Sequence, residues 1–163
     1  MSNVEITKDL ANATLVVTSA FAATPERIWQ LWADPRQLER WWGPDPYPAT
    51  VVDHDLRPGG HVSYYMTGPE GDQHKGYWHV TEVEPPHRLA FEDGFADGEG
   101  EPDHELPVSR SEVTIVAIDH RRTRMTITSV YDTTEALGQV LAMGMEQGIR
   151  AAVEQIDALL AEG

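Results

Sequence analysis

The chain has 163 residues, of which 40% are hydrophobic and 24% charged, a composition that fits one globular domain with a sizeable core and excludes wholesale disorder. It sets 12 Lys+Arg against 27 Asp+Glu, a formal net charge of −15; such a surface repels polyanions, so no nucleic-acid partner is expected. Cysteine is absent, which removes disulfides and thiolate chemistry.

The first 13 residues lack the basic start and apolar stretch of a signal peptide. No apolar run approaches the ~20 residues of a membrane span, so a cytoplasmic protein without membrane association is expected. Residues 14–21 (TLVVTSAF) read as a strand rich in β-branched and aromatic residues. Thr24-Pro25-Glu26 then supplies a cap, a proline at the first helical position and an acid in the first turn. Ile28, Trp29, Leu31 and Trp32 form the stripe of that helix. Asp34-Pro35 repeats the start signal for a second short helix, with Leu38, Trp41 and Trp42 at i, i+3, i+4 and Gly43-Pro44 as its stop.

From about residue 48 the pattern changes to strands and turns. Residues 50–56 lead into the turn Arg57-Pro58-Gly59-Gly60, and residues 61–67 alternate with Val62, Tyr64 and Met66 on one face. Residues 75–84 and 88–93 form two further strands separated by Pro85-Pro86, and 112–118 and 124–131 complete an antiparallel meander. The segment 92–107 is acidic, rich in glycine and free of Lys and Arg; it reads as a mobile loop. Asp132-Thr133-Thr134-Glu135 resembles a capping box with Asp in the cap position. Leu137, Leu141, Met145, Gly148, Ala152, Ile156 and Leu159 then keep helical spacing, which predicts one helix over 133–161, roughly 42 Å long. A helix of that length needs a sheet curled around it, an α+β arrangement.

The order of these elements and their local signatures resemble the bacterial proteins related to the activator of the heat-shock-protein-90 ATPase, within the START-like (helix-grip, SRPBCC, Bet v-like) superfamily. The carrying residues are Thr24-Pro25-Glu26-Arg27-Ile28-Trp29 with Trp32, Asp34-Pro35 and Leu38-Glu39-Arg40-Trp41-Trp42-Gly43-Pro44. They continue with Asp55-Leu56-Arg57-Pro58-Gly59-Gly60, Met66, Gly68-Pro69-Glu70-Gly71, Val83-Glu84-Pro85-Pro86-His87-Arg88-Leu89 and Met145-Glu146-Gln147-Gly148. The resemblance spans residues 14–161 and implies about seven antiparallel strands wrapped around a long C-terminal helix. It also implies two short helices after the first strand and an internal cavity. Family members commonly carry Trp after the glycine matching Gly148; here the residue is Ile149, which reshapes the inner helix face. In the superfamily such cavities hold apolar molecules, and some relatives catalyse cyclisation or hydrolysis.

On that fold, Trp42, Val62, Tyr64, Met66, Leu89, Phe91, Met125, Ile127, Ser129, Tyr131, Leu141, Met145 and Gly148 are expected to line the cavity. Stepping back by two from Val83, which is expected to face the core, puts His79 on the inner side. There it is the candidate general base of a cyclase- or hydrolase-type reaction. Asp53-His54-Asp55 does not make a metal site, because on a strand the two Asp side chains face away from His54. No Ser stands in a nucleophile turn, and no cofactor or metal is expected. Binding of a small apolar or amphipathic ligand is favoured over catalysis, and a chaperone-activator-like interaction role ranks last. A homodimer suits a domain of this size, although no motif demands one.

Overall fold

The computed structural model describes residues 4–162. In chain order the elements are β1 (Glu5–Asp9), β2 (Thr14–Phe21), α1 (Pro25–Ala33), α2 (Pro35–Trp42), β3 (Ala49–His54), β4 (His61–Thr67), β5 (Gln73–Glu84) and β6 (Arg88–Phe95). They are followed by β7 (Ser109–Ala117), β8 (Thr123–Tyr131), α3 (Thr134–Ala142) and α4 (Met145–Ala161). All eight strands form one antiparallel sheet in the order β1-β2-β8-β7-β6-β5-β4-β3. The sheet bends until helices meet it near both ends: α4 packs on β2, α2 packs on β3, and α2 and α4 pack on each other. Register shifts between Val51 and Asp53, and between Val80 and Glu82, mark bulges of the kind that increase local twist and bend.

The short helices form where their caps predict. The Thr24 side chain accepts from the Arg27 N–H at 3.2 Å. Asp34 closes α1 by donating its N–H to the Gln30 carbonyl at 3.0 Å, while its side chain accepts from the Arg36 N–H at 2.9 Å to open α2. Their stripes bury Trp32 and Trp41 completely. Trp32 lies edge-on to Trp41 at 4.8 Å and sits 5.8 Å from Trp78, which itself stacks on Phe91 at 4.2 Å. The Trp32 indole N–H donates to the Met125 sulfur at 3.4 Å, and the Trp41 indole N–H donates to the Leu31 carbonyl at 2.9 Å. These aromatic contacts fill the half of the sheet interior where α1 meets β7 and β8.

Several expectations need correction. The sheet has eight strands rather than about seven, because β1 adds an edge strand ahead of β2. Its sequence, EITKD, is mostly exposed and shows no apolar alternation; its one apolar residue, Ile6, packs against the core. The two short helices therefore follow the second strand. Strand β6 runs to Phe95, past the expected end at Asp93, so the first residues of the acidic segment are sheet, not loop. In the rest of that segment the Asp97 side chain accepts from the Glu99 and Glu101 N–H groups and that of Asp103 from the Glu105 N–H, at 2.9–3.1 Å. These acids order their own turns.

The predicted single C-terminal helix is two helices. Gly144 adopts φ +93°, ψ 19° between α3 and α4, a left-handed conformation that glycine takes without steric cost. The apolar spacing survives the break, so periodicity did not reveal it. The cap is Thr133 rather than Asp132: its side chain accepts from the Ala136 N–H at 3.0 Å. Helix α3 covers a small satellite cluster of Ala13, Leu15, Tyr131, Leu137 and Val140. The α4 helix, of 17 residues, is held against α2 by the Gln155 amide, which donates to the Trp41 and Gly43 carbonyls at 3.0 Å each. Gly138 is exposed on α3, and a Cβ there meets no atom within 4 Å. Gly138→Ala is therefore expected to stabilise the protein by about 1 kcal/mol, read by urea denaturation.

Candidate functional site

Strand register places the inward side chains in cross-sheet rows. One row runs Val62, Trp78, Asp93, Ser109, Tyr131 across β4 to β8. The next runs Val80, Phe91, Ser111, Ser129, Leu15. On the other side of the first row, Tyr64 stands opposite Gly76, which pairs with Phe95. Two serine rungs and a carboxylate thus sit on a face that is otherwise apolar and aromatic.

Beneath α4 these rows leave a cavity of about 210 Å³. Its walls come from β2, from β4 to β8, from Trp42 at the end of α2, and from Met145, Gly148 and Ile149 on α4. Pro44, Lys75 and Pro107, each partly buried, and the exposed His74 mark its rim. At the rim the Lys75 ammonium donates to the Gly98 carbonyl at 2.7 Å, tying β5 to the acidic segment.

The polar groups form a connected stripe. Ser109 and Ser111 hydroxyls lie 2.9 Å apart, and Ser111 and Ser129 hydroxyls 3.0 Å apart. The Tyr64 hydroxyl donates to Asp93 Oδ1 at 3.5 Å. Gly76 permits that reach: a Cβ there stands 2.5 Å from the Tyr64 oxygen, so the ring crosses β5 only because no side chain is present. Gly76→Ala is expected to lever Tyr64 off Asp93 at a cost of about 1 kcal/mol, visible in denaturation and in the Tyr64 ring NMR signals.

Burial pushes the Asp93 carboxyl up to about 7, a shift that the Tyr64 hydrogen bond partly opposes. Tyr64 is held well above its ordinary value by burial first and by the Asp93 charge second. Tyr131 is raised for the same two reasons, with Ser109 pulling the other way. The buried indole N–H groups of Trp42 and Trp78 have no hydrogen-bond partner, although both bear on the Tyr64 oxygen. The arrangement is a mainly apolar, aromatic pocket with one carboxyl group in its wall.

Of the residues expected to line the cavity, Trp42, Tyr64, Met66, Phe91, Ile127, Ser129, Tyr131, Met145 and Gly148 do so. Val62, Leu89 and Met125 are buried in the core instead; the indoles around Trp32 fill that part of the interior, and the Met125 sulfur is taken up by Trp32. Leu141 packs on the satellite cluster beneath α3, displaced from the cavity by the helix break. His79 is exposed, which removes it as the cavity base. Counting back from Val83 failed because the bulge between Val80 and Glu82 inserts a residue and inverts the strand parity. Trp78 and Val80 face the core instead.

Sequence reasoning missed Asp93, Ser109 and Ser111. Asp93 follows Leu89 and Phe91 at the strand period, and that alternation was a usable signal. Asp93 also falls in the acidic segment 92–107, whose composition reads as loop, and Ser109 and Ser111 lie between that segment and the strand expected from Glu112. At Asp53-His54-Asp55 the His54 ring bonds the Trp32 carbonyl at 2.9 Å, while Asp53 accepts from Ser63 at 2.7 Å and Asp55 from Arg57 at 2.9 Å. Among the described residues no group of three or more His, Asp or Glu could hold a metal ion. No helix among them is long and apolar enough to cross a membrane.

An antiparallel sheet closed on a C-terminal helix around an internal cavity defines the helix-grip, START-like (SRPBCC) class of protein. The family described as Activator of Hsp90 ATPase homolog 1-like protein matches residues 22–161, and the chain belongs to that family. It is 52% identical to protein Ms6760 from Mycobacterium smegmatis, a crystal structure with TM-score 0.89, over 97% of each chain. It is 45% identical to a protein from Arthrobacter aurescens, a solution structure with TM-score 0.93, over 98% of this chain and 92% of that one. A Rhodobacter sphaeroides protein is similar at 26% identity and TM-score 0.83, over 99% of this chain and all 100% of its own. No curated protein matches at a significant level.

Proposed function

We propose that this protein binds a small, mainly apolar ligand with a polar head in the cavity between the sheet and α4. The observation that carries this reading is the cavity of about 210 Å³, walled by aromatic and aliphatic side chains and crossed by one polar stripe. Cavities of ~150 Å³ with apolar walls take up benzene, so this volume suits a molecule of one ring with a short substituent. Few, convergent polar groups in an apolar wall are the pattern that orients a ligand. Met145 at the helix start supports the reading because a thioether adapts to different shapes.

Native mass spectrometry of freshly purified protein, followed by extraction, tests for a co-purifying molecule. Titration with 2-phenylethanol, followed by NMR, is expected to shift the Trp42 indole and Met145 methyl signals in a saturable way. An empty protein whose cavity signals do not respond to the alcohol would count against the proposal. A catalytic reading draws on one observation, the partly buried Asp93 carboxyl that accepts from Tyr64 at 3.5 Å; pushed up to about 7 by desolvation, it suits a general base. It predicts turnover that is lost in Asp93→Asn.

A further inference from the structure

We propose that the cavity selects a compact ring-bearing amine, with its ammonium group set against Asp93 and its ring among the aromatic walls. This rests on the ligand-binding reading above and names the chemistry of the ligand. Among the described residues, the ionisable groups lining the cavity are Asp93, Tyr64, Tyr131, His74 and Lys75. The two basic ones stand at the rim, where Lys75 is engaged by the Gly98 carbonyl and His74 by Asp72. Asp93 is therefore the group that can carry full charge in the interior, and it is negative. Its carboxylate accepts one side-chain hydrogen bond, a long one of 3.5 Å from Tyr64. A carboxylate offers about four lone-pair sites, so most of its accepting capacity is free.

The surroundings suit the remaining protons of an ammonium group. Ser109 stands opposite Asp93 in the register, and its hydroxyl leads through Ser111 to Ser129, giving acceptor oxygens beside the carboxylate. Trp42, Tyr64, Phe91 and Tyr131 supply faces for the ring and for cation–π contact. A carboxylate ligand would instead meet like charge in a mainly apolar site. The net charge of −15 raises the local concentration of cations and lowers that of anions before any contact is made.

The groups facing Asp93 from each packed element are Tyr64 on β4, Trp78 on β5, Ser109 on β7 and Tyr131 on β8. Helix α4 faces the cavity with Met145, Gly148 and Ile149, which carry no charge. Its charged neighbours turn elsewhere, Glu146 to Lys8 and Arg150 to the Val4 carbonyl.

Calorimetric titration of the intact protein with 2-phenylethylamine, 2-phenylethanol and 3-phenylpropionate separates the possibilities. At pH 8 the amine is expected to bind about tenfold more tightly than the alcohol, with the carboxylate weakest. At pH 5 the gap between amine and alcohol should close, because Asp93 is then protonated while the amine stays charged. In Asp93→Asn the amine should lose its advantage over the alcohol at pH 8. Equal amine and alcohol affinities at pH 8 overturn the amine inference and leave cavity binding standing. So does an amine preference that survives in Asp93→Asn, which would place the cation on the acidic surface. Failure of all three probes to bind removes the ligand-binding reading together with the inference.

Discussion

Replacing Asp93 by asparagine is expected to make the protein more stable at pH 8 by roughly 2 kcal/mol and to leave it little changed at pH 4. Below the ordinary carboxylate value of 3.8 the group is protonated in both the folded and the unfolded chain, and its burial carries no titration penalty. As pH rises past 3.8 the unfolded chain releases the proton, while the folded protein keeps it until about 7. The folded state binds more protons over that interval, so stability falls with rising pH and the full penalty persists above it. Asparagine keeps the shape and an acceptor for Tyr64 but does not titrate. Urea denaturation of both proteins from pH 4 to pH 8 gives the difference directly, and the shared contribution of the other carboxylates cancels. A constant offset across that range would mean that Asp93 is solvated and titrates normally in the folded protein.

Ile149→Trp is expected to abolish uptake of 2-phenylethanol, with an affinity loss of at least about tenfold, while stability holds within roughly 1 kcal/mol. Ile149 is half-buried and lines the cavity from α4, beside Gly148. An indole at this position projects into the space of about 210 Å³ and occupies much of it. The change also restores the bulk that the family resemblance leads one to expect after the glycine. Because the space is already present, the new side chain displaces ligand rather than backbone. The added indole fluorescence reports its own burial. Retained affinity in a protein whose new tryptophan is buried would place the ligand outside this cavity.

Local chemistry made much of this molecule legible before any fold was known. Thr24-Pro25 and Asp34-Pro35 marked two helix starts, and both caps form as hydrogen bonds. The alternation Val62, Tyr64, Met66 marked a strand whose first two members are buried. These signals act over five residues or fewer, so neighbours in sequence suffice to determine them. The edge strand β1 was illegible for the opposite reason, since its place comes from the hydrogen bonds offered by β2 rather than from any pattern of its own.

The candidate site depended on what sequence does not carry. A single inserted residue at Val80–Glu82 turned His79 outward, because strand parity is lost at a bulge. Asp93 entered the cavity because β6 continues through a segment whose composition reads as loop; pairing with β5 and β7 holds it there. Gly144 divided the last helix without disturbing its apolar spacing, which moved Leu141 away and left Met145 at the cavity. The sequence by itself determined the caps of α1 and α2, most of the strand grammar and the family. Tertiary structure decided which side chains share the interior, because that depends on register, bulges and helix direction, each set by contacts between segments far apart in the chain.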